Sequence, residues 1–583
     1  LCAGVFSLAF ALSLPLRGRV RRASAYVAGL AAVLLAGLLG NLDAGLQVLD
    51  QLWKLGGEAA PQSGGIARLA AGVLAVVQGA HFPVLDFWRS TRFIGPEDVG
   101  PIHEFPYFTF LYGDLHAHQI ALPLTVAVLL VGLNLMRSLR AEPHRLPWPS
   151  LLIAGVLVAM LRATNTWDFP TYAGITCLVL VLGCLPGLLR LDRRAIQTLV
   201  VGLLIFGLVF QFSFAPYLQR YQLFYNGVDP VKAKTALSQY LTIHGLLLFL
   251  GGSLFAWYAV RARRRVAAAR QQTALVPEHG YYGMLLPVGT LNGYASPAGW
   301  AAGIGILGGL ALVLAGFVTR GFLVFGIGVA VAGTIAHWRQ SNRALQAALF
   351  ACALFATLIP EFVALQGDIG RMNTVFKFYL QAWVLLSVTG AVALGWLVRR
   401  SQRDPLLRQV RPAWVAVAAI FVLAAVAYPL LASKAKVGLR FEDLPLSLDG
   451  MQYMDFAQYR DDGKNLNLPA DARAIRWLQD NVVGTPVVLE GRSPVYRWGS
   501  RISIYTGLPT IVGWDVHQGQ QRTGYSGMIQ ERITDVERMY GSLNAQETLS
   551  LLRKYQVRYV VVGGLERAYY PGPGIEKFGT MPQ

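Results

Sequence analysis

Long apolar stretches, separated by short polar segments, fill the chain up to about residue 432. Stretches such as "LVVGLLIFGLVFQF" and "AVAAIFVLAAVAYPLL" approach the roughly 20 residues that a helix needs to cross a bilayer. The pattern therefore predicts a polytopic α-helical membrane domain over residues 1–432. We expect about twelve spans, at residues 1–16, 25–41, 119–137, 149–165, 170–187, 196–213, 241–260, 299–317, 321–336, 343–363, 376–397 and 413–432.

From residue 433 onward the pattern changes to shorter alternating elements. Helical periodicity predicts helices, and short apolar runs bounded by Gly or Pro predict strands. The predicted helices are "ADARAIRWLQDN", "ITDVERMYGS" and "AQETLSLLRKYQV", and the predicted strands are "TPVVLEG", "RISIYTGLPTIVG" and "RYVVVGG". This alternation indicates a small α/β domain with a largely parallel sheet over residues 433–583.

Composition supports the membrane class, and charge placement excludes a nucleic-acid partner. The chain is 54% hydrophobic and 14% charged, with a mean hydropathy of +0.44, which is too apolar for a soluble protein of this length. The net charge of +19 comes largely from arginine blocks between apolar runs, as in cytoplasmic loops. The blocks are residues 17–22, 137–145, 190–194, 261–270, 339–343 and 399–411.

These blocks fix a topology in the plasma membrane, where membrane lipid is the expected partner. With every block inside, the loop 42–118, the corners "NTWDFP" and "QGDIGRMNTVFKF", the segment 214–240 and the domain after residue 433 fall outside. The C-terminal domain is therefore expected to be extracytoplasmic. The chain begins at Leu1 inside an apolar run, so we also expect that an N-terminal segment is missing.

The stretch "EFPYFTFLYGDLHAHQIALPL" places Asp114, His116 and His118 directly before an apolar run. In an extended segment these three side chains share one side. A carboxylate and two imidazoles can bind a divalent metal, Mg²⁺ or Mn²⁺, or form a proton relay. The alternative is a polar helix cap by Asp114, with both histidines at the membrane interface.

The corner "RATNTWDFPTY" carries Arg162, Asn165 and Asp168. A charge such as Arg162 inside an apolar run needs a partner, which Asp168 or Asp114 could supply. The alternative is a structural corner with Asp168 as a helix cap.

The corner "EFVALQGDIGRMNTVFKFYLQAW" carries Asp368, Arg371, Asn373 and Lys377. Cations at the membrane edge suit phosphate or pyrophosphate. The alternative is that Arg371 and Lys377 simply extend their charges to the lipid headgroups.

Five stretches of the chain, taken in order, resemble the Chlor_Arch_YYY family of bacterial and archaeal integral membrane proteins. They are "EFPYFTFLYGDLHAHQIALPL", "NTWDFPTY", "DIGRMNTVFKFYLQAW", "RISIYTGLPTIVGW" and "KYQVRYVVVGGLERAYY". That family is in turn similar in architecture to the GT-C superfamily of polytopic glycosyltransferases. The GT-C-like fold implies a lipid-phosphate-linked sugar donor, an exterior active site and an acid in an exterior loop. The family's Tyr-Tyr-Tyr run is absent here, so that acid could lie in a missing N-terminal segment.

The hypothesis that follows is a membrane glycosyltransferase that uses a polyprenyl-phosphate sugar donor at the extracytoplasmic face. Its acceptor, a glycan or a protein, is not identified by the sequence. The alternatives are a transporter or flippase, a non-catalytic assembly protein and a metal-dependent hydrolase. The candidate residues are Asp114, His116, His118 and Asp168 for catalysis, the first three also for metal; Arg371, Asn373 and Lys377 for donor phosphate; and Glu104, Arg162, Asn165 and Asp368 in support.

Overall fold

A computed structural model describes the chain except for residues 15–21, 96–99, 114–115, 222–226, 275–296, 367–369, 441–444, 446, 462, 496, 523 and 582–583. The chain divides into two compact units, Leu1–Lys436 and Val437–Gln583, which we call the membrane unit and the C-terminal unit. The division lies four residues beyond the predicted boundary at 432/433.

The membrane unit is built of helices and one short strand pair. Its helices are α1 (Cys2–Ser13), α2 (Ala23–Val33, continued by a π-helical turn, Leu34–Leu38), α3 (Asp43–Ala59), α4 (Gly65–Val77), α5 (Pro106–Tyr112), α6 (Ala117–Ala141), α7 (Trp148–Thr164), α8 (Asp168–Leu188), α9 (Arg193–Phe212), α10 (Ala215–Leu218), α11 (Leu237–Ala274), α12 (Pro297–Leu314), α13 (Val318–Ala336), α14 (Ser341–Phe362), α15 (Met372–Ser401) and α16 (Pro405–Arg440). Strands β1 (Val228–Pro230) and β2 (Val363–Leu365) pair antiparallel.

Nine helices in the described part of the chain are long and apolar enough to cross a membrane, or ten if α2 and α3, bent by 67°, form one span. They confirm a multi-pass membrane protein. Two predicted spans, 1–16 and 149–165, correspond to the shorter apolar helices α1 and α7. The 17 residues of α7 extend only about 25 Å, so the prediction of about twelve spans stays a prediction.

Helix α15 is the central helix of the membrane unit. Its most apolar 18-residue window is 83% buried inside the protein, against 17% for α16. Small residues permit the close packing: a Cβ atom added to Gly395 would lie 2.5 Å from the carbonyl oxygen of Ser24.

The C-terminal unit contains short helices and two pairs of strands. The strands β3 (Gln458–Asp461) and β4 (Lys464–Asn467) pair antiparallel, whereas β5 (Val487–Leu489) and β6 (Val557–Val560) pair parallel. The helices are α17 (Leu468–Asn481), α18 (Arg501–Thr506), α19 (Asp515–Gln521), α20 (Ser526–Gly541), α21 (Ala545–Lys554), α22 (Gly564–Tyr569) and α23 (Pro573–Glu576).

The strand prediction for "RISIYTGLPTIVG" is wrong over its first half, which forms α18. The Glu490 carboxylate accepts the backbone N–H groups of Ile502 and Ser503 at 2.9 and 3.1 Å. These bonds satisfy donors that the first turn of a helix leaves open. Gly507, at φ +73°, then ends the helix. Capping from a neighbouring strand end thus outweighs the β preference of the isoleucines.

Candidate functional site

Glu104, in the loop before α5, is a largely buried carboxylate with partners on two sides. Its Oε1 lies 3.3 Å from Nη2 of Arg92, and its Oε2 accepts the Thr109 hydroxyl at 3.3 Å. The Arg92 guanidinium is held in place by the ring of Trp88, 3.7 Å away. Burial raises the pKa of Glu104 above its ordinary value, while Arg92 and His116 oppose the rise. Glu104 therefore holds a proton more readily than an exposed glutamate.

His118, in the first turn of α6, joins this carboxylate to α15. Its Nε2 lies 3.8 Å from Oε2 of Glu104, and the side chain is 3% exposed. The ring packs edge-on against Phe376 of α15 at 4.5 Å and stacks on His116 at 5.3 Å. A buried imidazole beside a carboxylate can accept and return a proton.

Asp168 begins α8 and is 5% exposed. Nδ2 of Asn165 donates to Oδ2 of Asp168 at 2.9 Å. Gln381 of α15 donates to the backbone carbonyl of Trp167 at 2.9 Å, which ties this corner to the central helix. The corner is therefore held by a hydrogen bond within it, from Asn165 to Asp168, and by a second one from Gln381 of α15.

Lys377 of α15 links the Glu104–His118 pair to the corner that holds Asp168. Its ammonium interacts electrostatically with the carboxylates of both Asp168 and Glu104. Lys377 and Gln381 lie four residues apart and share one face of α15. Residues from three helices thus come together near the beginning of the central helix. They are His118 of α6, Asp168 of α8 and Lys377 of α15.

An apolar cavity of about 490 Å³ opens beside these residues. It lies between α8, α13, α14 and α15. Its lining includes Pro170 and Thr171, which follow Asp168, and Phe378, which follows Lys377. The cavity, whose apolar lining suits hydrocarbon, thus extends to residues that closely follow Asp168 and Lys377 in the chain.

Arg371 has a different environment from Lys377. Its Nη1 lies 2.8 Å from Oε1 of Glu361 and donates to the carbonyl of Pro360 at 3.3 Å. Arg371 and Glu361 are each 1% exposed, and Glu361 also accepts the hydroxyl of Thr235 at 2.5 Å. A phosphate would reach Arg371 only if this pair opened, so its role as a phosphate ligand stays a prediction.

Asp168, one of the two partners considered for Arg162, is not paired with it in the described part of the chain. Arg162 donates instead to Oε1 of Gln211 at 3.2 Å and lies 5.5 Å from the ring of Phe169. The reason is local: Asn165 already serves the Asp168 carboxylate, and Arg162 reaches a partly exposed amide on the neighbouring helix α9. The other predicted partner, Asp114, lies outside the described residues, as does Asp368.

The metal prediction depends on Asp114. Within the described ranges, no group of three or more His, Cys, Asp or Glu side chains is placed to hold a metal ion. The carboxylate of Glu104, which lies 3.8 Å from His118, already serves Arg92 and Thr109. The metal site at Asp114, His116 and His118 therefore stays a prediction, and the described residues offer proton transfer and charge stabilisation. Asn373, in the first turn of α15, is half-buried.

Two contributors were not identified from the sequence. Gln381 follows Lys377 by one helical turn, so helical spacing within α15 could have indicated it. Arg92 lies in the polar run "FWRSTRF", and no signal in the sequence pairs it with Glu104, twelve residues later.

The comparison with known families covers the whole of this site. A family model described as uncharacterized membrane protein (DUF2298) matches residues 1–386. The match includes every site residue from Arg92 to Gln381. No curated protein matches the chain. The resemblances to Chlor_Arch_YYY and to GT-C enzymes stay predictions. The chain belongs to the DUF2298 family of uncharacterized membrane proteins.

Proposed function

We propose that the protein is a GT-C-like membrane glycosyltransferase that transfers a sugar from a polyprenyl-phosphate donor at the extracytoplasmic face. One observation carries the proposal: the Lys377 ammonium interacts electrostatically with the largely buried carboxylates of Asp168 and Glu104, and Phe378 and Pro170, close to Lys377 and Asp168 in the chain, line an apolar cavity of about 490 Å³. A lipid-linked sugar likewise combines a charged group and an apolar one, since its anionic phosphate is attached to a long hydrocarbon chain. The cavity would take part of the chain, and Lys377 would hold the phosphate.

The proposed reaction needs one base and one cation. The acceptor hydroxyl attacks the anomeric carbon of the sugar, and the bond from that carbon to the phosphate oxygen breaks. The hydroxyl proton passes to Glu104 or to His118, a carboxylate and an imidazole whose Oε2 and Nε2 atoms lie 3.8 Å apart. The polyprenyl phosphate leaves with the electron pair, and Lys377 stabilises its charge.

The remaining candidates take supporting roles in the proposal. Asp168, held by Asn165, orients the acceptor hydroxyl and balances the charge of Lys377 before the donor binds. His116, stacked on His118, can relay the proton outward. Asp114 remains a proposed second base or, with both histidines, a ligand of Mg²⁺ or Mn²⁺.

A proton-coupled transporter is the second candidate, because a buried polar row runs through the core of the membrane unit. His244 of α11 is fully buried, with its ring 5.1 Å from the rings of both Tyr240 and Tyr379. Tyr240 donates to or accepts from Thr357 at 3.0 Å. Ionisable groups inside a membrane bundle are often part of a proton path. Proton-driven uptake by proteoliposomes that His244→Phe abolishes would favour this function.

Transfer is tested with radiolabelled polyprenyl-phosphate sugars supplied to membranes that contain the protein. Label should move to an acceptor in wild-type membranes and not in membranes with Glu104→Gln. Glu58→Gln, which removes an exposed carboxylate, serves as the matched control. Equal transfer in membranes with and without the protein would reject the proposal.

The proposed side of the membrane has its own test. Val483 in the C-terminal unit is 96% exposed, so Val483→Cys presents a thiol without disturbing a core. We expect an impermeant maleimide to label this thiol in intact cells. Labelling only after permeabilisation would place the C-terminal unit in the cytoplasm.

A further inference from the structure

Four arginines gather at the end of α15 remote from Lys377. The guanidinium of Arg400 interacts electrostatically with Arg261 of α11, Arg343 of α14 and Arg399, its neighbour in α15. Asp404 is the carboxylate within their range, and it already accepts Nε1–H of Trp257 at 3.2 Å. Within the described residues none of the four arginines forms a salt bridge with a carboxylate. Like charges within electrostatic range of one another are favoured by an anion that binds among them.

Aromatic rings form a platform that holds these charges. Trp257 and Trp396 lie 4.5 Å apart, ring to ring. The Arg261 guanidinium lies 5.0 Å from the ring of Trp257, and Arg343 and Arg400 lie 5.2 and 5.5 Å from the ring of Trp396. The cation–π contacts hold the arginine heads together without neutralising them.

An apolar cavity of about 380 Å³ begins at the same place. It lies between α11, α15 and α16, and Trp257 belongs both to its wall and to the arginine platform. Leu397, Val398 and Trp414 give it an apolar lining, and Arg411 adds a further cation to its edge. The arrangement therefore joins a positively charged head to an apolar space.

We propose that this end of α15 binds an anionic phospholipid, with its phosphate on the arginine cluster and part of an acyl chain in the cavity. Basic pockets between membrane helices recognise such headgroups. Arginines that only reach for the membrane surface would spread apart rather than gather on two tryptophans. The site is separate from the proposed donor site, because the 23 residues from Lys377 to Arg400 span about 35 Å of helix. It does not depend on the proposed transfer reaction.

Native mass spectrometry of the full chain in detergent, titrated with lipid, tests the headgroup. Phosphatidylglycerol should bind at least tenfold more tightly than phosphatidylcholine. Arg400→Gln and Arg411→Gln should each weaken phosphatidylglycerol binding about fivefold, since one cation near an anionic lipid surface contributes about that factor. Arg193→Gln, in another basic block and exposed, should change nothing. Equal binding of the two lipids, or equal loss in all three variants, would overturn the proposal.

A second pair of variants tests the acyl chain. Ala256 faces the cavity and Ala259, on the same helix, is exposed outside it. Ala256→Phe should fill the cavity and weaken phosphatidylglycerol binding about tenfold, whereas Ala259→Phe should bind it as the wild type does. Inorganic phosphate in excess should leave the lipid bound. Full displacement by phosphate, or unchanged binding in Ala256→Phe, would identify an anion site without a lipid tail and contradict the proposal.

Discussion

Nε2 of His118 lies 3.8 Å from Oε2 of Glu104, and both side chains are largely buried. The contact joins the first turn of α6 to the loop before α5. Lys377 of the central helix acts on the same carboxylate, so one buried acid has an imidazole and an ammonium at hand. An acid–base pair beside a cation supports the proposed group transfer from a phosphate donor.

The pH dependence of transfer should reflect Glu104. Burial raises the pKa of Glu104, and a base must be deprotonated to act. Activity should therefore rise with pH through a pKa above the ordinary glutamate value. Glu104→Gln should remove this acidic limb and lower the rate by about 10²–10⁴-fold. A wild-type limb that persists unchanged in Glu104→Gln would assign the base to another residue.

The Arg371–Glu361 pair should be more important for stability than either charge alone. Breaking a fully buried pair leaves an uncompensated charge and costs about 3–5 kcal/mol. Arg371→Met should therefore lower the thermal midpoint, and Arg371→Met with Glu361→Gln should recover most of the loss. Donor affinity is then measured on the stable double variant. An affinity at least tenfold weaker supports Arg371 as a phosphate ligand, whereas wild-type affinity would contradict that role.

Acid should destabilise the membrane unit through His103. Burial lowers the pKa of His103 to about 3, against an ordinary value near 6.5. Between these values the unfolded chain binds more protons than the folded one. Stability is thus complete above about pH 6.5 and falls by about 1.4 kcal/mol per pH unit below it.

Thermal midpoints measured at several pH values test this effect of His103. His103→Gln should flatten the decline below pH 6.5, whereas His81→Gln, which removes an exposed imidazole, should keep it. Parallel curves for all three proteins would show that His103 does not titrate as described.

Arg501 should hold the C-terminal unit together. It is 1% exposed and donates two bonds to Asp471, at 2.7 and 3.0 Å, and two to Glu566, both at 3.0 Å. Arg501→Met removes the cation from these two buried carboxylates and from that of Glu490, 3.9 Å away, so we expect a loss of about 3–5 kcal/mol. Arg567→Met removes an exposed pair and should cost at most about 1 kcal/mol. The stability of the C-terminal unit in each variant is measured as the urea concentration at which a protease begins to cleave within residues 437–583. Similar urea midpoints for the two variants would contradict the structural role of Arg501.

Elements with a strong local signal could be predicted from the sequence. The apolar run predicted at 119–137 is the interior of α6, and "RYVVVGG" includes all of β6 except its first residue, Val557. α18 could not be predicted, because Glu490 caps it from the end of a neighbouring strand. The candidate site could likewise be predicted only in part. Residue types indicated His118, Asp168 and Lys377 as a set, whereas only helix packing places them together.

Donor binding at Lys377 is the most direct test of the central claim. Polyprenyl-phosphate affinity should be measured on the purified full chain, for wild type, Lys377→Gln and the exposed control Lys434→Gln. A charge-assisted contact contributes about 1.5–3 kcal/mol, so Lys377→Gln should bind about ten- to a hundredfold more weakly and Lys434→Gln as the wild type does. Equal affinity in all three proteins would contradict a phosphate site between Glu104, Asp168 and Lys377.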